Sequence, residues 1–166
     1  MVRRNAIHFL MWWLVFALSL LAPPALGNQS LRFIGLSGDA VEIHAPAAGQ
    51  PLLVHFWATW CPSCVEDLTS LQTAMDACAG SEIRVVGVNV GDDPEDVMEF
   101  TREHGLTLTQ LRDPKGAIWR KVDGRGLPVN LILANASRRT EIGPKTVAEW
   151  RAEFGELGCS QRGEHP

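Results

Sequence analysis

Residues Leu52-Leu53-Val54-His55-Phe56-Trp57 form a near-continuous apolar run, and after three intervening residues the chain reads Cys61-Pro62-Ser63-Cys64. An apolar run without alternation predicts a strand buried on both faces, so layers must lie above and below the sheet that holds it. Beyond it, Cys64, Leu68, Leu71, Met75 and Cys78 recur at spacings of three and four. That period predicts a helix with one apolar face, ended at Gly80. A buried strand that turns straight into such a helix confines the chain to an α/β architecture. It also sets two thiols on the first turn of that helix.

The remaining segments fit one domain. Leu31 to Ala45 reads as a hairpin around Ser37-Gly38-Asp39, followed by a loop from Ala45 to Pro51. Ile83 to Val90 is a second buried strand. Asp92-Asp93-Pro94-Glu95-Asp96 then announces a helix, with Asp93 suited to the N-cap, Pro94 to the first turn and the acids to its positive end. Val97 and Phe100 face inward and Gly105 stops the helix. Asp113-Pro114-Lys115-Gly116 is a turn, and Ala117 to Val122 a short helical piece. A third strand, Leu127 to Leu133, is entered through Pro128. Ala134 to Ser137 turns the chain into an edge strand, Arg138 to Ile142. Val147, Trp150, Phe154 and Leu157 share one face of a last helix. The order ββ, βαβα, ββα predicts a mixed sheet flanked by helices, with an N-terminal β-hairpin.

Residues 1–27 stand apart. Arg3 and Arg4 precede an apolar run from Phe9 to Ala22, then Pro23-Pro24 and the small-residue stretch Ala25-Leu26-Gly27, with no acid among them. This is the order of a secretory signal peptide cleaved after Gly27, or of an uncleaved anchor through residues 6–22, with the domain at 28–166. Either reading exports the domain to a compartment that permits disulfides, the periplasm or its equivalent. Cleavage removes two positive charges and no negative one, taking the net charge from −4 to −6. An acidic chain without a basic face is not built to bind nucleic acid.

The chemistry is concentrated at Cys61 and Cys64. A thiol at a helix N-terminus meets unpaired N–H groups and the positive end of the helix dipole, which favour its thiolate. Cys61 is therefore expected to be the exposed, attacking thiol, and Cys64, one turn in, the resolving one. Pro62 suits the first helical turn, and Trp57 and Trp60 are expected to flank and shield the pair. His44, His104 and His165 are scattered without metal-ligand spacing, and two cysteines are too few for structural zinc.

Phe56-Trp57-Ala58-Thr59-Trp60-Cys61-Pro62-Ser63-Cys64 resembles the active-site segment of thioredoxin-fold proteins, and in particular of the exported TlpA/ResA-like thiol–disulfide oxidoreductases. Val85 to Asp93, Glu103-His104-Gly105-Leu106, Asp113 to Gly116, Gly126-Leu127-Pro128, Gly143-Pro144 and the N-terminal hairpin resemble that family as well. The likeness spans roughly residues 31–158. It implies a thioredoxin-like fold, no cofactor beyond the dithiol, and a cis Pro128 against the cysteine pair. It also implies that Trp60, Pro62 and the Leu127 backbone meet a client chain.

Where the family often has Glu three residues after the second cysteine, this chain has Asp67, a proton relay or a solvated helix-surface acid. His55 stands where thioredoxins carry a buried Asp, so it is a possible proton relay, or a core histidine satisfied by backbone groups. Thr69 and Val129 are further departures. In such a fold the first and last helices lie on one face with their C-termini together, which implies a structural disulfide Cys78–Cys159. Two free thiols, or a second redox pair, are the other readings. The family's usual direction implies a reductase fed by a membrane thiol-reducing protein, with protein disulfides, including those of cytochrome c maturation, as clients. An oxidant or isomerase, or a copper- or zinc-handling module, would use the same thiols.

Overall fold

The computed structural model describes residues 30–44, 50–135 and 137–160. The stretch expected to be a signal or anchor, and the loop 45–49, lie outside them. In chain order the elements are β1 (Ser30–Gly35), β2 (Ala40–His44), β3 (Leu52–Trp57), α1 (Pro62–Ala77), β4 (Arg84–Asn89), α2 (Pro94–Glu103), β5 (Thr109–Arg112), α3 (Ala117–Lys121), β6 (Val129–Ala134), β7 (Ser137–Ile142) and α4 (Val147–Glu156). Among the described residues the strands form a single sheet in the order β2-β1-β5-β4-β3-β6-β7. β3, β4 and β5 run parallel, and the hairpins at either side pair antiparallel.

β3 lies between β4 and β6, and every one of its residues is buried. The alternation of its side chains divides the core. Leu53 and Trp57 join α1, α2 and α4 on one face. Leu52, Val54 and Phe56 join α3 and the first hairpin on the other. Burying a side chain of this size contributes about 1.5–3 kcal/mol, so this strand anchors both layers.

β5 is the element the sequence reading left out. Its four residues carry one aliphatic side chain, Leu111, and a buried polar one, Gln110. It is a strand because β4 and β1 supply backbone partners on its two sides, and neither partner is local. Its insertion leaves the N-terminal hairpin joined to the sheet through Ile34↔Arg112 and Gly35↔Leu111 alone.

The helix starts follow their sequence signals, with one difference. Asp93 occupies the N-cap of α2, but its side chain makes no capping bond, so Pro94 and the acids Glu95 and Asp96 are what favour that end. α4 carries a full capping box between Thr146 and Glu149.

Candidate active site

The turn from β3 to α1 is held from the neighbouring strand. Val90 N–H donates to the Trp57 carbonyl at 2.8 Å, just past the end of β4. The Asp92 carboxylate accepts from Thr59 N–H at 2.7 Å and from the Asn89 amide at 2.7 Å, while Asp92 N–H donates to Asn89 Oδ1 at 3.1 Å. This latch fixes the backbone two residues before Cys61, where the chain reverses with Cys61 N–H bonded to the Ala58 carbonyl.

Cys61 is the extended N-cap of α1 and Pro62 its first residue. Cys61 and Cys64 form a disulfide with Cα atoms 5.3 Å apart. Cys64 is fully buried and Cys61 is 6% exposed. Cys61 is thus the more accessible residue of the two, though nearly buried itself. Trp57 and Trp60 differ in setting, and Trp57 shares a buried cluster with Cys61 and Cys64. Trp57 is buried, donates its indole N–H to Gln110 Oε1 at 3.0 Å and packs on Phe100. Trp60 stands 67% exposed.

The Leu127–Pro128 peptide is cis. It enters β6, whose Val129 pairs with Phe56 of β3 and Ile142 of β7. The bend therefore lies at the end of the sheet from which the Cys61 turn emerges. Pro128 is buried, with its carbonyl accepting from Gly143 N–H at 3.0 Å, and Leu127 is half-buried.

His55 and Asp67 meet beneath this end of the sheet, both fully buried. Asp67 lies one helical turn beyond Cys64 and is fully buried, an interior group rather than a solvated surface one. Asp67 Oδ1 accepts from Lys145 N–H at 2.8 Å and from the Trp150 indole at 2.7 Å. His55 Nδ1 lies 2.7 Å from Asn130 Oδ1 and 3.8 Å from Asp67 Oδ2. The histidine is thus held on its Nδ1 side by a side chain rather than a backbone group, while Nε2 has no hydrogen-bond partner. Burial pushes the Asp67 carboxyl above the usual carboxylate range, against the pull of His55 and the two N–H donors. Burial also holds the His55 imidazole below its ordinary value, against the opposing influence of Asp67 and Asn130.

Cys78 and Cys159 form a second disulfide, with Cα atoms 5.8 Å apart, joining the C-terminal ends of α1 and α4. Sequence reasoning passed over Asn130, Asp92, Gln110 and Trp150. A polar residue inside the apolar stretch Val129-Asn130-Leu131-Ile132 was the available signal for Asn130. The Asp92 contact had none, because its partner is a backbone N–H 33 residues away. Among the described residues no three His, Cys, Asp or Glu are grouped to hold a metal ion.

A family model described as AhpC/TSA family matches residues 27–138. Sporulation thiol-disulfide oxidoreductase A of Bacillus subtilis (strain 168) is 29% identical over 123 residues, covering 69% of this chain and 74% of that protein. Thiol:disulfide interchange protein DsbE of Yersinia pestis is 32% identical over 111 residues, 66% of this chain and 55% of that one. The crystal structure of StoA from Bacillus subtilis superposes with a TM-score of 0.63 at 26% identity, covering 79% of this chain and 99% of that chain.

Proposed function

Because the chain belongs to the AhpC/TSA family and is a thiol–disulfide oxidoreductase of thioredoxin-like fold, we propose that it is an exported disulfide reductase. The observation that carries this is a Cys61–Cys64 disulfide at a helix N-terminus, Cys61 the less buried of the two and Cys64 fully buried one turn from Asp67. In the reduced protein the Cys61 thiolate attacks a client disulfide, and one client sulfur leaves as a thiolate. Cys64 then gives its proton to Asp67 and attacks Cys61 Sγ. The bond from Cys61 to the client breaks and the second client thiolate departs. Two electrons pass from the dithiol to the client.

Pro128 and the Leu127 backbone form the rim on which an extended client segment rests, and Trp60 and Pro62 are the solvent-facing side chains beside Cys61. A membrane thiol-reducing protein restores the dithiol. Residues 1–27 support export, by a cleaved signal or an anchor through residues 6–22. The clients are protein disulfides, among them the haem-site cysteines of apocytochromes c. Relatives named disulfide oxidoreductase and interchange protein support protein clients without fixing the direction.

The deciding experiment is the reduction potential of the Cys61–Cys64 couple, with a Cys78→Ser/Cys159→Ser variant as control. A value at or below roughly −220 mV, in the range of thioredoxin and glutaredoxins, supports a reductase. A value near roughly −120 mV, like the strong oxidant DsbA, replaces it with an oxidant or isomerase. Absence of an exchangeable couple, together with stoichiometric copper or zinc binding, replaces both with metal handling.

A further inference from the structure

His55 sits in the middle of β3, and nothing in the exchange steps above uses it. On β4 its register partner is Gly87, which has no side chain to offer. On β6 its partner is Asn130. A carbonyl oxygen only accepts, so Asn130 Oδ1 at 2.7 Å selects the tautomer with the proton on Nδ1. Nε2 is then a bare lone pair, and it has no hydrogen-bond partner. Asp67 repeats the pattern. Its Oδ1 is saturated by Lys145 N–H and Trp150 Nε1–H, while Oδ2 has no hydrogen-bond partner and lies 3.8 Å from His55 Nδ1.

Two fully buried ionisable groups at that separation cannot titrate independently, because each proton gained or lost on one changes the field at the other. We infer that His55 and Asp67 hold and release protons as one unit, with His55 the positioning residue that sets the pH at which Asp67 exchanges a proton with the Cys64 thiol. This rests on the reading of Asp67 as the acceptor in dithiol exchange. In the step concerned the Cys64 S–H bond breaks and its proton goes to Asp67 Oδ2. The resulting thiolate bonds Cys61 Sγ, and the client sulfur leaves with the electron pair.

The surroundings leave few other charges to set that pH. From α1 the nearby titratable group is Cys64, one turn before Asp67. From α4 it is the buried Glu153. Before α4 stands Lys145, its ammonium 5.5 Å from the Trp150 ring and paired with Glu141 of β7 and with Glu153. Arg139 of β7 also pairs with Glu153. Glu141, Glu153, Arg139 and Lys145 pair among themselves, and of these Lys145 also acts on Asp67, lowering the carboxyl's affinity for its proton less than His55 does. After burial, His55 is the largest influence on the Asp67 carboxyl, and it acts to lower the carboxyl's affinity for its proton.

The test is a pH titration by nuclear magnetic resonance, following the Asp67 carboxyl carbon and the His55 ring nitrogens in the oxidised protein. One unit makes both nuclei report the same two midpoints. His55→Asn keeps a donor near the Nδ1 position but cannot ionise. In that variant the Asp67 midpoint rises by about one pH unit or more, and the pH break in the rate of mixed-disulfide resolution rises with it. A merely structural histidine would lower the rate at every pH and leave the break in place. Separate midpoints, each seen by one nucleus, overturn the inference, as does an Asp67 midpoint or rate break that His55→Asn leaves unmoved. If His55→Asn does not fold, the wild-type curves decide alone. The titration needs no turnover, so the two readings fail separately. Shared midpoints without exchange through Cys61 and Cys64 sink the enzymatic reading, and exchange with unshared midpoints sinks only this one.

Discussion

Asp67 carries a carboxyl that the fold buries one turn past a buried sulfur, and its two oxygens have different tasks. Oδ1 fastens the start of α4 through Lys145 N–H and Trp150, and Oδ2 is open. Asp67→Asn keeps an acceptor for both donors and removes the exchangeable proton. It is expected to slow resolution of the mixed disulfide by on the order of 10²-fold, the scale of a lost general base. The first attack by Cys61 should keep its rate. Stopped-flow fluorescence of the tryptophans near the site separates the two phases, and equal slowing of both would remove Asp67 from the proton path. The sequence left this residue between a relay and a surface acid, because helical spacing alone does not say which face α4 will cover.

At the scale of elements, two cross-links hold the site together from opposite ends. The Asp92–Asn89 latch ties the loop after β4 to the turn that bears Cys61. Asp92→Ala leaves the Thr59 N–H and the Asn89 amide without their acceptor, which should cost about 1–3 kcal/mol. Asp92→Asn, still an acceptor, should recover most of it. Denaturant unfolding gives the energies. The alkylation rate of Cys61 in the reduced protein should fall in the alanine variant and not in the asparagine one. At the other end, Cys78–Cys159 closes a sequence separation of 81 between α1 and α4. Replacing both cysteines by serine should cost on the order of 4 kcal/mol by the loop-closure estimate. Urea midpoints under non-reducing conditions check this, and an unchanged midpoint would mean that packing of α4 alone suffices.

Over the whole molecule the buried pair shapes stability against pH. The lowered His55 value contributes stability that is complete above its ordinary value of about 6.5 and lost as pH falls through the folded one. The raised Asp67 value contributes stability that is complete below about 3.9 and lost as pH rises through the folded one. Between those limits the two slopes oppose each other. Relative to the parent, Asp67→Asn should therefore gain stability as pH rises from about 4 to about 6.5, and His55→Asn should lose it. Unfolding free energies measured across that range for the three proteins decide it, and parallel curves would contradict the burial-driven shifts.

Elements whose signals are local could be read directly from the chain. The apolar run of β3, the helical spacing from Cys64 to Cys78, Pro62 on the first turn and the turn before β7 each depend on neighbours within a few residues. The sequence also showed the paired thiols, since three residues on a helix bring two sulfurs within bonding reach. β5 escaped because a four-residue strand with one aliphatic side chain owes its conformation to β1 and β4, both distant in the chain. Assembly of the layers settled that Asp67 is interior, that Asn130 faces His55, that Asp92 grips Thr59 and that Cys61 is nearly buried. Each of those results depends on how separate elements stack, and burial and pairing across a sheet belong to the assembled layers rather than to any one segment.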